Sequence, residues 1–286
     1  IANLYPNSEI IGVDKCKKGI KCAEEIAQKL GVENVKFEAV DAKKVDKFFK
    51  EEKFDLVLSN RSMLEITNLP KLKSFWSIDE VENSIVVANS VLKFFKSVEK
   101  VMTHDAKLIT FERLDGLEEI LNFIKSMHAS GLYADTDAMC KIQFNELNDV
   151  EQMPLIVFDK TERDEIGFYD AIEIYNKLPI LNKQKDIEDE FAIELQFKAL
   201  GEKELVYGTQ IDYKTGVGSE RREVWKVGDK YVTYKYSNVG RRELVTEGIE
   251  KDKAINEIRA MSNFIGRIGH KVTEYHSIEE REKLVK

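Results

Sequence analysis

Ser8-Glu9-Ile10-Ile11-Gly12-Val13-Asp14 is the stretch from which the fold can be read. A short β-branched run ending in an acid is strand-like, and Ile20, Ala23, Ile26, Ala27 and Leu30 then recur at helical spacing. Gly31 stops that helix, and Val35 to Asp41 is a second strand that again ends in an acid. Strand, helix, strand is the opening of an alternating α/β chain.

The alternation continues outward from this unit. Val45 to Glu52 reads as a short charged helix, and Phe54 to Ser59 as an almost wholly apolar strand, of the kind buried on both faces near the middle of a sheet. Ile78 to Met102 reads as one long helix, Lys107 to Glu112 as a strand and Leu117 to Met127 as a helix. Two strands close the set without a helix between them, at Met139 to Phe144 and Pro154 to Phe158. The expected fold class is therefore α/β, a doubly wound and mostly parallel sheet with an antiparallel edge hairpin.

Beyond Thr161 the pattern changes. Residues 161–190 read as a connecting helix (Glu162 to Asn176) and a charged linker. In residues 191–286, Phe191 to Leu200, Glu204 to Tyr213, Glu220 to Val227, Lys230 to Ser237 and Arg241 to Glu247 read as consecutive strands, followed by a helix over Lys251 to Phe264. The expected organisation is a Rossmann-like domain over 1–160, the connection, and a C-terminal α+β domain with an antiparallel sheet.

Composition bounds the function classes. Hydrophobic residues make up 43% and charged residues 34% of the 286, and no apolar run approaches the roughly 20 residues that span a bilayer. The net charge of −8 argues against a general polyanion binder, although a local basic face remains compatible with it. Cys16, Cys22 and Cys140 form no CxxC pair and lie near no histidine at zinc-ligand spacing, so they read as reduced thiols and no metal site is expected. A cytoplasmic location is the default expectation. Ile1 to Pro6 reads as the tail of a helix, and the polypeptide is expected to continue ahead of Ile1.

Ligands of doubly wound sheets bind outside the carboxyl ends of the strands, where Asp14, Asp41 and Ser59 to Arg61 all fall. A carboxylate at such a strand end can accept hydrogen bonds from the two hydroxyls of a ribose, which suits Asp14; the next can accept from an adenine amine lying against Val40 or Ala42, which suits Asp41. Either acid alone is equally well explained as a cap or turn residue.

Tyr5 to Asp14, Ala23 to Leu30, Gly31 to Val35, Asp41-Ala42 and Phe54 to Asn60, with the two closing strands, together resemble the class I S-adenosylmethionine-dependent methyltransferases over roughly residues 1 to 160. The resemblance implies S-adenosylmethionine as cofactor. Its binding set would be Asp14 and Lys15, Asp41 and Ala42, and Ser59 and Asn60, with Arg61 near the methionine end or the acceptor. It also implies that the family's first strand, with its Gly-rich turn, precedes Ile1, so that the sheet seen here lacks a central strand.

Asn60-Arg61-Ser62 differs from the Asn-Pro-Pro-aromatic pattern of base-amine methylases, and a Pro-Cys nucleophile is missing, which leaves the acceptor unidentified. Glu65, Glu112 and His104 are candidate bases, none singled out as catalytic. The alternative is a cofactor-free methyltransferase-like scaffold whose C-terminal domain contacts a protein, a second copy or a nucleic acid. For nucleic acid, the less favoured of these, the candidate surface is Arg221, Arg222, Arg241 and Arg242 with Trp225, Tyr231, Tyr234 and Tyr236. Gly216-Val217-Gly218 reads as a hairpin turn rather than a phosphate loop.

Overall fold

The computed structural model describes every residue except 68–75, 85–88, 115–116, 147–148, 186–189, 217, 240–241 and 286. Strand β1 (Ile10–Asp14) leads through helix α1 (Lys17–Lys29) to β2 (Val35–Ala39), and the two strands pair in parallel, Ile10 beside Val35 through to Asp14 beside Ala39. The helix ends because Gly31 takes a left-handed φ of 64°. This lets the Gly31 N–H donate to Gln28 and the Val32 N–H to Ala27, satisfying the last carbonyls of the helix.

The chain continues through α2 (Val45–Phe48), β3 (Phe54–Asn60), α3 (Met63–Thr67), α4 (Ile78–Ser84), α5 (Asn89–Val101), β4 (Met102–Phe111) and α6 (Leu117–His128). It then forms β5 (Tyr133–Ala134), β6 (Cys140–Glu146), β7 (Asp149–Asp159), α7 (Phe168–Lys177) and β8 (Ile180–Leu181). These strands make one sheet in the order β3-β4-β7-β6-β8, with β5 added alongside β7. Strands β3 and β4 are parallel, whereas β7 runs antiparallel to both β4 and β6, as expected for the closing hairpin. The long helix expected over 78–102 is instead two described helices, with 85–88 outside the described residues, and β4 starts already at Met102.

Strands β1 and β3 belong to different sheets. A cleft of about 170 Å³ lies between them, walled by Ile11 and Val13 on one side and Phe54, Leu56 and Leu58 on the other. Phe54 and Ile11 meet the same small cluster as Val45, Phe49 and Val101, so the amino-terminal ends of β1 and β3 lie together and the strands point the same way. The cleft corrects one expectation: β3 is an edge of its sheet rather than a doubly buried strand, and Leu56 and Leu58 are 48% and 46% exposed. The main apolar core lies farther along, where Phe95, Leu108, Phe123, Met127, Ile156 and Phe158 fill the space between α5, α6 and the sheet.

The remaining chain forms α8 (Glu190–Ala199), β9 (Glu204–Asp212), β10 (Ser219–Val227), β11 (Lys230–Ser237), β12 (Arg242–Ile249), α9 (Lys251–Arg267), β13 (Lys271–Tyr275) and α10 (Ile278–Glu282). The five strands pair antiparallel in the order β12-β11-β10-β9-β13. Gly216 and Gly218, both at positive φ, flank residue 217 in the hairpin between β9 and β10. The segment 191–200, expected as a strand from the alternation Phe191, Ile193, Leu195, Phe197, is the helix α8. It buries Ile193, Glu194 and Phe197, which share a helical face, and its Ala, Glu, Leu, Gln and Lys residues favour a helix.

Helix α9 covers one face of the sheet through Ala254 and Ile258 on Tyr207 and Val224. On the other face Phe197 of α8 stacks on Tyr234 at 4.1 Å between centroids. Strand β13, absent from the sequence expectations, closes the edge beside β9. The Tyr275 ring fills the place where a residue other than glycine at 208 would put its Cβ, so Gly208 is required by close approach.

Candidate functional site

The carboxyl ends of β1 to β4 form one edge. Asp14 ends β1 and is exposed; its Oδ1 accepts from the Cys16 N–H at 2.7 Å. Asp41 follows β2, is likewise exposed, and caps the 3-10 turn Ala42–Lys44 by accepting from the Lys43 N–H at 3.1 Å. In each carboxylate one oxygen fixes the local turn and the other has no protein partner among the described residues, so both can accept from a ligand. Lys15 is exposed beside Asp14, and Ala42 packs half-buried against the cluster of Val45, Phe49 and Val101.

The end of β3 is organised differently. Ser59 is buried and its hydroxyl bonds Glu112 and the Ser62 hydroxyl, so this side chain faces the protein, whereas Asn60 is exposed. Glu112, at the end of β4 and 1% exposed, also accepts from the Met63 N–H at 3.1 Å, tying the strand ends to the start of α3. Burial pushes its carboxyl above the usual carboxylate range, against the hydrogen bonds that favour the anion. Glu112 therefore acts first as a brace for the turn that carries Asn60 and Arg61.

Arg61 has a φ of 53°, uncommon for a residue with a side chain. The conformation lets its N–H continue the sheet by donating to the Phe111 carbonyl at 2.9 Å. Its guanidinium donates twice to Glu146, each at 3.1 Å, and lies 5.2 Å from the centre of the Phe144 ring. Arg113 donates to the same carboxylate. Arg61 and then Arg113 hold Glu146 below its ordinary range. Sequence reading missed Arg113 and Glu146, because nothing local links Glu146 to arginines 85 and 33 positions away.

The candidate bases separate clearly. Glu112 is at the edge but buried, Glu65 is exposed on α3, and His104 lies near the start of β4, at the opposite end of the sheet. The basic and aromatic face expected in the second sheet is not a solvent surface. Arg221 is buried with its guanidinium 4.0 Å from the Trp76 ring centre, and Trp225, Tyr234, Tyr236 and Arg242 are buried beneath α8 and its neighbours. Arg222 pairs with Glu220, and Arg241 lies outside the described residues.

Residues 1–132 match the family described as a methyltransferase domain. Among solved structures, NSun6 from Pyrococcus horikoshii is 22% identical over 57% of this chain and 44% of its own, with a TM-score of 0.40. A ribosomal protein L11 methylase from Lactobacillus delbrueckii subsp. bulgaricus is 13% identical over 54% and 58%, at 0.33. A precorrin-6y C5,15-methyltransferase from Geobacter metallireducens is 11% identical over 56% and 71%, at 0.38. These likenesses are too distant to carry an argument about activity, and the match spans little more than half of the L11 methylase. No curated protein matches the chain in sequence. Over residues 1–132, a little under half of the chain, the sequence is similar to methyltransferase domains, and the strand-end geometry agrees with that likeness.

Proposed function

We propose that the edge formed by the carboxyl ends of β1 to β4 binds S-adenosylmethionine and presents it to an acceptor, with residues 1–160 as the catalytic unit, 161–190 as connection and 191–286 as an accessory domain. The observation that carries this reading is the pair Asp14 and Asp41, exposed at adjacent strand ends, each with one oxygen committed to a turn and one open to a ligand. Asp14 would take the ribose hydroxyls and Asp41 the adenine amine, with Ala42 against the ring, Lys15 beside the ribose and Asn60 facing the methionine end. Ser59 contributes through Glu112, by holding the turn that carries Asn60.

When bound, S-adenosylmethionine supplies a methyl group already activated by a sulfonium, so the work left to the protein is to bring a nucleophile in line at about 3 to 3.5 Å. The residues around Glu112 serve that end by fixing the strand ends relative to α3. Titration of the full chain with S-adenosylhomocysteine by calorimetry tests the assignment. Asp14→Ala is expected to weaken binding about tenfold, or about 1.4 kcal/mol. Equal affinity in the variant overturns the role of Asp14.

A further inference from the structure

The same edge carries an unusual concentration of positive charge. Lys17 and Lys18 follow β1 just beyond Lys15, Lys43 and Lys44 follow β2, Arg61 follows β3 and Arg113 follows β4. The four lysines just named and Lys15 are all exposed, and among the described residues none of the five makes an ion pair. Among the described residues the accessible acids along the edge are fewer: Asp14, Asp41, Glu65, Glu119 and Glu146, the last already neutralised by Arg61 and Arg113. In a chain whose net charge is −8 this rim is a local inversion of sign. Unpaired like charges held together on one edge repel one another and lower stability, a cost that a polyanion would offset.

We infer that this rim binds the phosphodiester backbone of a single-stranded RNA and so delivers a nucleotide to the methyl-transfer edge; the inference rests on the reading of that edge given above and names its acceptor class. Two features favour a nucleic acid over an acidic peptide. The cations follow the ends of β2 and β1 on one side of the cleft and of β3 and β4 on the other, so they form a row rather than a point. Arg61 lies over Phe144 with a third of its side chain still exposed, and such a guanidinium plane is a stacking surface for an unpaired base. Binding through the rim is local, which is why overall acidity does not forbid it.

The test is fluorescence anisotropy of the full chain with a labelled single-stranded RNA of about 15 nucleotides. If about four phosphates are neutralised, raising salt fourfold lowers affinity roughly 50-fold. The double variant Lys43→Glu with Lys44→Glu is expected to weaken binding about tenfold or more and to flatten that salt dependence. Lys226→Glu with Lys230→Glu, exposed on the second sheet, makes the same change in net charge and is expected to leave binding unchanged.

Absence of saturable binding at low salt overturns the inference, as does equal weakening by both double variants. Competition by poly-glutamate as effective as that by unlabelled RNA overturns the nucleic-acid assignment. Calorimetry with S-adenosylhomocysteine on the same proteins separates the two readings. A rim variant that binds S-adenosylhomocysteine normally but has lost RNA supports the rim, whereas a parent chain that binds RNA and no S-adenosylhomocysteine counts against the methyl-transfer reading instead.

Discussion

The two sheets of this protein differ in where their polar groups lie. The sheet built on β3 and β4 stops at an open edge, facing the β1 and β2 pair across an apolar cleft with Leu56 and Leu58 half-exposed. The sheet from β12 to β13 is covered on both faces by helices, and some of its charged groups are inside: Glu223 is fully buried and Arg221 and Arg242 nearly so. The first arrangement leaves polar strand ends accessible to ligands. The second spends its polar groups on one another, which makes it a poor place for a site and a strong place for a scaffold.

The largest effect expected from breaking this contrast is at Glu223. Its carboxylate accepts from Tyr275 at 2.8 Å, Tyr236 at 3.0 Å and the Trp225 indole at 2.9 Å, with Arg281 at 3.4 Å. Burial first, and then Glu223, push the Tyr236 and Tyr275 phenols up, so that they remain protonated donors. Glu223→Gln keeps the shape but removes the charge from Arg281 and turns an amide N–H₂ toward other donors. Breaking a buried charged network from one side costs about 3 to 5 kcal/mol. Urea denaturation should show a loss in that range, and a loss below about 1 kcal/mol would mean that the second sheet is not organised around this carboxylate.

A paired substitution then measures the two sheets directly. Ile211→Ala in β9, where the side chain is fully buried, should cost about 2 to 5 kcal/mol through the lost burial and the cavity left behind. Leu58→Ala in β3 removes a half-exposed side chain and should cost about 1 kcal/mol or less. Denaturant midpoints of the two variants decide the matter. Similar losses would show that the cleft side of β3 is as tightly packed as the second sheet.

How legible this was in the sequence depends on the range of the interactions involved. The strand ends Asp14 and Asp41 could be found because a β-branched run followed by an acid is a local pattern. The edge position of β3 could not, since Phe54 to Ser59 reads as apolar whether a neighbouring strand is present or not. Helix α8 was misread because Phe191, Ile193, Leu195 and Phe197 also fit a period of two, and only packing against β11 and β12 decides between the periods. The aromatic and basic residues of β10 and β11 looked like a surface because sequence patterns do not tell which face a later helix will cover. Glu146 was invisible as a partner of Arg61 for the same reason.

The most discriminating prediction concerns two acids of the first sheet whose environments act in opposite directions. Asp159 at the end of β7 is buried, which alone would raise its pKa, but hydrogen bonds from Arg163, Lys107 and the Thr161 N–H outweigh burial and hold it far below the usual range. A carboxyl depressed in the folded state adds stability above its unfolded pKa of about 3.9, and loses it as pH falls toward the folded value. Glu112 is raised, so its contribution has the opposite sign: present below its unfolded pKa and lost as pH rises through the folded one. Asp159→Asn should therefore cost about 2 kcal/mol at pH 7 and progressively less below pH 4, so that the variant and parent stability curves converge in acid. Glu112→Gln should diverge from its parent in the other sense, losing most at low pH and least at neutral pH. Parallel curves for Asp159→Asn across that range would mean that its pairing with Arg163 and Lys107 does not survive in solution, and that the first sheet lacks a charged anchor comparable to Glu223.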